Sequence, residues 1–232
     1  MRGGTGQRVA VAALALAAWI FTGPQTPAQT PPGVAEAAAY SGLHKAAHEG
    51  DVAAIRRLLA DGADPEARDT HGRTAAHVSA FASHEAAVAA LAEGGADSNA
   101  LDADAYDMVT IAAVANDLAM LKAALAAGND PGLTTSRYDG TALIAAAHLG
   151  HAKIVKTLID AGAPLDHVNN LGWSALIEAV ILGDGGPRHR ATVRHLVAAG
   201  ADRSLADRRG ITPLGHARAR GYDEIVAILE GR

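Results

Sequence analysis

A chain of 232 residues with 49% hydrophobic but only 3% aromatic side chains lacks the bulk to fill one thick globular core, and its many alanines favour helices that approach closely in thin layers. Its net charge of −5 argues against nucleic acid, whose phosphates need a basic face. With no cysteine, disulfides, thiolate nucleophiles and thiolate metal sites are excluded, and an oxidising compartment is compatible with the composition.

The first element is a leader. Arg2 and Arg8 precede an apolar run from Val9 to Phe21, followed by Pro, Thr and small residues up to Gly33. A positive start, a short apolar stretch and small residues at Thr26 and Ala28 have the form of a secretory signal peptide. The run of 13 residues is short for a membrane span, which needs about 20. Residues 1–28 are therefore predicted to be a signal peptide cleaved after Ala28, and residues 29–34 a Pro/Thr-rich linker. Periplasmic or secreted location follows, and removal of the two leader arginines takes the net charge from −5 to −7. An uncleaved leader anchoring the domain to a membrane is the alternative.

From residue 35 to 232 the chain repeats itself. Ser41, Thr74, Asp107, Thr141, Ser174 and Thr212 each open a helical pattern, at steps of 33, 33, 34, 33 and 38 residues. A hydroxyl or carboxylate at such a position caps the orphan N–H groups of a helix start. Gly62, Gly95, Gly128 and Gly162 lie 21 residues beyond the first four of these, and Gly200 follows the fifth with a delay of five residues. Each supplies a left-handed stop to a second helix. Apolar residues near that stop, among them Leu58, Leu125, Leu158, Leu196 and Leu229, are expected to fill the layers between repeats. The six units run at about residues 36–68, 69–101, 102–135, 136–168, 169–206 and 207–232. No unit can bury its apolar face alone, so stability comes from stacking. At the ends, Ala35 to Tyr40 reads as a longer capping helix, and Arg218, Arg220, Asp223 and Glu224 give the last unit a polar outer side.

The pattern resembles the ankyrin-repeat family. Asp69-Thr70-His71-Gly72-Arg73-Thr74-Ala75-Ala76-His77, Gly150-His151 and Asp207-Arg208-Arg209-Gly210-Ile211-Thr212-Pro213-Leu214 carry the family motif, and Gly62-Ala63-Asp64 and Gly95-Ala96-Asp97 carry its closing tripeptide. The resemblance implies an all-α solenoid of six helix–turn–helix repeats joined by short hairpins. It also implies a non-catalytic module that binds another protein with the hairpin tips and the inner face of the first helices. Positions one, three and four before each capping residue, and seven and eight after it, would line that face. Five of the six aromatic residues beyond the leader fall there: Tyr40, Phe81, Tyr106, Tyr138 and Trp173. With Arg73, Arg137, His71 and His148 they form the expected partner-binding row, since Tyr, Trp and Arg dominate interface energetics. Packing of each aromatic against its neighbouring hairpin is the competing explanation. Gly183 to His189 is expected to be an exposed loop at the far edge of the groove, either a clamp or a tolerated insertion.

Eleven histidines raise the question of metal or catalysis. In the family, the slots of His44 and His77 tie neighbouring hairpins, and His84 and His151 fill the turn between helices. The pairs His44/His48 and His148/His151 have chelating spacing but lack a third ligand at usual separation. No nucleophile elbow, zinc-protease or phosphate-loop motif is present. No catalytic residue, metal or cofactor is therefore expected. The partner is read as a protein and the chain as a monomer, free of the membrane once the leader is removed. A metal- or small-ligand-binding module using the histidines, and an immunity-type inhibitor of a partner toxin, are the alternatives.

Overall fold

The computed structural model describes residues 29–232. The proposed leader therefore lies outside the described residues. A short helix, α1 (Val34–Ala39), precedes six helical pairs. The first helices of the pairs are α2 (Gly42–Glu49), α4 (Ala75–Phe81), α6 (Met108–Ala115), α8 (Ala142–Leu149), α10 (Ala175–Ile181) and α12 (Pro213–Ala219). Their partners are α3 (Val52–Ala60), α5 (Glu85–Glu93), α7 (Leu118–Ala126), α9 (Ala152–Asp160), α11 (Pro187–Ala198) and α13 (Asp223–Glu230). First helices pack on first helices, from α2 through α12, and second helices on second helices, from α3 through α13. The result is a two-layered helical solenoid.

Local chemistry explains the boundaries. All six capping residues read from the sequence stand at the N-cap of a first helix. Asp107, Thr141, Ser174 and Thr212 each accept the N–H three residues on, a contact worth about 1 kcal/mol per helix. Gly62, Gly95, Gly128, Gly162 and Gly200 all have φ between +87° and +96°, the left-handed region that glycine enters without steric cost. Between the layers, Ala47, Ala113, Ala147 and Ala179 are fully buried, as are Ile55, Leu121, Leu158 and Leu196. Small residues let the helices approach, and the aliphatic residues fill each interface. No described helix is long and apolar enough to cross a membrane.

Two elements differ from expectation. Residues 35–40 do not lengthen the first capped helix. Tyr40 is extended, with ψ 145°, and Ser41 starts a separate helix, because the Tyr40 hydroxyl is drawn 2.7 Å from Asp69 Oδ2. Nor is the insertion in the fifth unit only a loop. Pro187 occupies the first turn of α11, which runs for 12 residues where α9 has 9. Proline is pre-shaped for that position, so the helix gains three residues and the turn absorbs the rest. His189, inside this extension, donates from Nε2 to His148 O at 2.9 Å, as His84 does to His48 O at 3.1 Å. Tyr222 holds the turn by donating its hydroxyl to Gly183 O at 3.0 Å.

Candidate protein-binding surface

Four of the six pairs, the second, third, fifth and sixth, are entered through a hairpin built on one polar side chain. Asp69, Asp102, Asn169 and Asp207 each accept, on one Oδ1 atom, the N–H groups two and four residues ahead. This is an Asx turn, in which the side chain stands in for a backbone acceptor. A backbone pair closes the base: Asp69 N to Arg73 O, Asp102 N to Tyr106 O, Asn169 N to Trp173 O and Asp207 N to Ile211 O. Successive hairpins are then linked by Ala103 N to His71 O, Ser136 N to Ala105 O and Asn170 N to Tyr138 O.

The hairpin of the fourth unit is built differently. Ser136 replaces the Asx residue, and the closing bridge joins Thr135 to Gly140, enclosing one residue more than in its neighbours. The 34-residue step in the repeat originates here. Ser136 and Asp139 both adopt positive φ, +63° and +52°, a conformation that costs an L-residue about 1 kcal/mol. Strain of this kind tends to concentrate where a chain is shaped for contact.

The structure separates the residues proposed for partner binding. Arg73 is only 1% exposed and faces inward: Nε donates to Asp69 Oδ2 at 2.7 Å, and the guanidinium also reaches Glu36 and Tyr40. Tyr106, 8% exposed, is a core residue. Neither can form a partner contact, and the sequence reading is corrected for both. His71 is exposed but pairs with Glu36 at 2.9 Å, as part of the same closure of α1. Phe81 and Trp173 are half-buried, so the explanation by packing holds for much of their surface. His148 is exposed at the end of α8, 3.5 Å from the buried carboxylate of Glu178, which in turn accepts from Asn169 at 2.8 Å. Arg137 and Tyr138 do lie outward, with the guanidinium 5.1 Å above the ring.

Two residues absent from the sequence reading complete a surface. Among the described residues the large exposed hydrophobic side chains are Val34, Tyr138, Val168 and Leu171. Three of these four lie on two adjacent hairpins joined through Asn170 N and Tyr138 O. Tyr138 and Leu171 hold the same repeat position, three before the cap. Exposed apolar side chains on adjoining hairpins are the kind of surface through which proteins dock on one another. Counting aromatics alone overlooked it. The signal was available at Leu171, an aliphatic residue at a tip position where the second, third and sixth hairpins carry His71, Asp104 and Arg209.

The histidines have structural work. His44 Nε2 lies 2.9 Å from Arg73 O and His77 Nε2 lies 3.0 Å from Tyr106 O, tying each first helix to the next hairpin. Burial holds the His77 imidazole below its ordinary pKa, and its Nδ1 sits 2.8 Å from Thr74 Oγ1. His84 and His151 bond to carbonyls of the preceding unit. With these nitrogens engaged, the chelating pairs read from the sequence lose a ligand atom each. Glu36, Asp69 and His71 do converge, with ligand atoms within 4.8 Å of one another, but the Arg73 guanidinium already bonds both carboxylates. A second cation would have to enter against it.

A solenoid of capped helical pairs presenting a row of hairpins defines a repeat protein of the helix–turn–helix class. The family description "Ankyrin repeats (3 copies)" matches residues 25–102 and 109–207, and the chain belongs to the ankyrin-repeat family. It is similar to the putative ankyrin repeat protein YahD of Escherichia coli (strain K12), at 40% identity over 95 residues. That match covers 40% of this chain and 47% of YahD, so the chain spans about half the length of this relative. Among solved structures, an ankyrin repeat domain from Acinetobacter baumannii AYE superposes with a TM-score of 0.76 at 45% identity, covering 82% of this chain and 96% of that one. The ankyrin repeat domain of Bcl-3, from the IkappaB protein family, gives 0.67 at 25% identity, covering 83% and 99%. Ankyrin repeats generally mediate protein–protein interaction.

Proposed function

We propose that this chain is a non-catalytic protein-binding module that grips its partner with the tips of the fourth and fifth hairpins. The observation that carries the reading is the cluster of Tyr138, Val168 and Leu171, exposed by 40%, 44% and 38%. Arg137 and the free edge of Trp173 border it, and His148 and Phe81 extend the contact along the first helices that form the concave side. The apolar leader supports action in the periplasm or outside the cell, as a monomer. N-terminal sequencing of the protein from fractionated cells tests this: a mature chain beginning at Gln29 is expected, and an intact Met1 in the membrane fraction would favour the anchored form.

A photocrosslinking amino acid tests the binding face in living cells. Placed at Leu171 it is expected to yield a discrete protein adduct, whereas at Arg194, exposed on α11, it yields none. Adducts from Arg194 alone would move the binding face to the second-helix layer.

A further inference from the structure

Charge distinguishes the three C-terminal hairpins from the third. The chain as a whole carries −5, yet residues 135–140, 168–173 and 207–211 expose Arg137, Arg208 and Arg209 against the single carboxylate of Asp139. Asp207 lies on the same hairpins but is buried. Its carboxylate is committed to the N–H groups of Arg209 and Ile211 and to His216 Nε2 at 2.9 Å. The third hairpin has the opposite sign, offering Asp104 beside Asp102.

The arginines stand around the apolar cluster. Arg208 lies across the fifth hairpin: its Nη2 donates to Asn170 O, and its Cγ would be only 2.6 Å from a Cβ placed on Gly172. Its stem therefore covers the backbone next to Leu171. Arg209 keeps 70% of its side chain in solvent, with one 3.5 Å contact to Asp207. Arg137 stacks over Tyr138 on the other side. A guanidinium carries five N–H donors and pairs carboxylates in bidentate fashion, so most donors on Arg208 and Arg209 remain available after their internal contacts.

We propose that hairpins four to six form a docking surface for an acidic protein segment with apolar anchors. A Leu, Ile or Phe of that segment seats over Tyr138, Val168 and Leu171, and flanking Asp or Glu side chains pair with Arg208, Arg209 and Arg137. The proposal rests on the protein-binding reading and narrows the partner's chemistry. Gly172 is part of the specificity: any side chain there would push Arg208 off the hairpin.

Fluorescence anisotropy with the full chain provides the test, using three labelled peptides: alternating Glu with Leu and Phe, the same with Lys for Glu, and the acidic one with Ser for its apolar residues. The first is expected to bind at least about tenfold more tightly than the other two, and to weaken at high salt. Leu171→Ser removes about tenfold of that affinity. The double variant Arg137→Glu/Arg209→Glu, both at exposed positions, reverses the preference toward the lysine peptide, with circular dichroism confirming that the helices persist. Equal binding of the acidic and basic peptides, or binding unaffected by the charge reversal, overturns the proposal. Preferential capture of single-stranded DNA reassigns the arginines to phosphate, and concentration-dependent self-association reassigns the patch to a second copy of this chain; either also overturns it. Should crosslinks from Leu171 appear while the peptides show no charge preference, only the partner's class is refuted and the binding face stands.

Discussion

Hairpins of the same molecule put their side chains to opposite uses. In the second unit, Arg73 points inward and closes a network of Asp69, Glu36 and Tyr40, sealing α1 against the first pair. In the fourth and fifth units, Tyr138 and Leu171, which share the repeat position of His71, point into solvent. The contrast teaches that the hairpin beside α1 serves closure, while the fourth and fifth, flanked on both sides by other hairpins, have their tips available for contact. Backbone shape separates the second hairpin from the fourth. The tight turn of the second hairpin places Gly72 at φ +71°, whereas the fourth puts Asp139 at the equivalent position and tolerates the strain.

Removing the Arg73 side chain is the strongest way to break this contrast. Arg73→Met leaves Asp69 and Glu36 without their counter-charge and is expected to cost about 3 kcal/mol by urea denaturation. Hydrogen exchange should accelerate in Val34–Ala60 and stay unchanged in residues 135–173. Equal loosening of both regions would show that the network stabilises the whole stack rather than its end.

Acid probes the same network. Burial raises the pKa of Asp69, but hydrogen bonds from Tyr40, from the Arg73 backbone and side chain and from the His71 N–H outweigh it, holding the carboxyl at about 2 against an ordinary 3.8. Burial likewise raises Glu36 while hydrogen bonding to Arg73 and Gly33 brings it below its usual value. A carboxylate whose folded pKa is depressed contributes stability that is complete above the unfolded pKa and lost as pH falls through the folded one. The first-unit helices are therefore expected to loosen between about pH 4 and pH 2. Arg73→Met should flatten that acid limb, as seen by hydrogen exchange against pH.

A reciprocal exchange of turn residues comes next in size. Gly72→Asp forces a Cβ to 2.8 Å from the Ala103 backbone nitrogen at positive φ and should cost about 2 kcal/mol. Asp139→Gly relieves strain and should gain about 0.5 kcal/mol. Thermal melts of both variants decide it. The smallest effect is expected at the tips. Tyr138→Ser and Leu171→Ser should shift stability by no more than about 0.5 kcal/mol, because neither side chain is buried. A larger loss would mean that the patch packs on the fold.

The boundaries of this fold could be read from sequence because they depend on local chemistry. Thr141, Ser174 and Thr212 cap helices through their own side chains, and Gly62 or Gly200 ends one through its own φ. Whether a hairpin residue faces in or out is not local. Arg73 turns inward because Glu36 and Tyr40 stand 37 and 33 residues away in sequence and Asp69 is held by the turn. Its likeness to Arg137 in residue type gave no hint of that. Pro187 was the legible sign that the insertion continues as helix. Leu171 was overlooked because an aliphatic residue draws attention only once its exposure is known.

The bonds from hairpin to hairpin have a mechanical consequence. Ala103 N to His71 O, Ser136 N to Ala105 O and Asn170 N to Tyr138 O run in series along the stack, so tension applied between its two ends is borne in full by each rather than shared among them. The last link is of another kind, a flexible arginine side chain from Arg208 to Asn170 O. Pulled by its termini, the molecule should yield first at that compliant joint and lengthen unit by unit toward its N-terminal end, behaving as a spring with one soft coil.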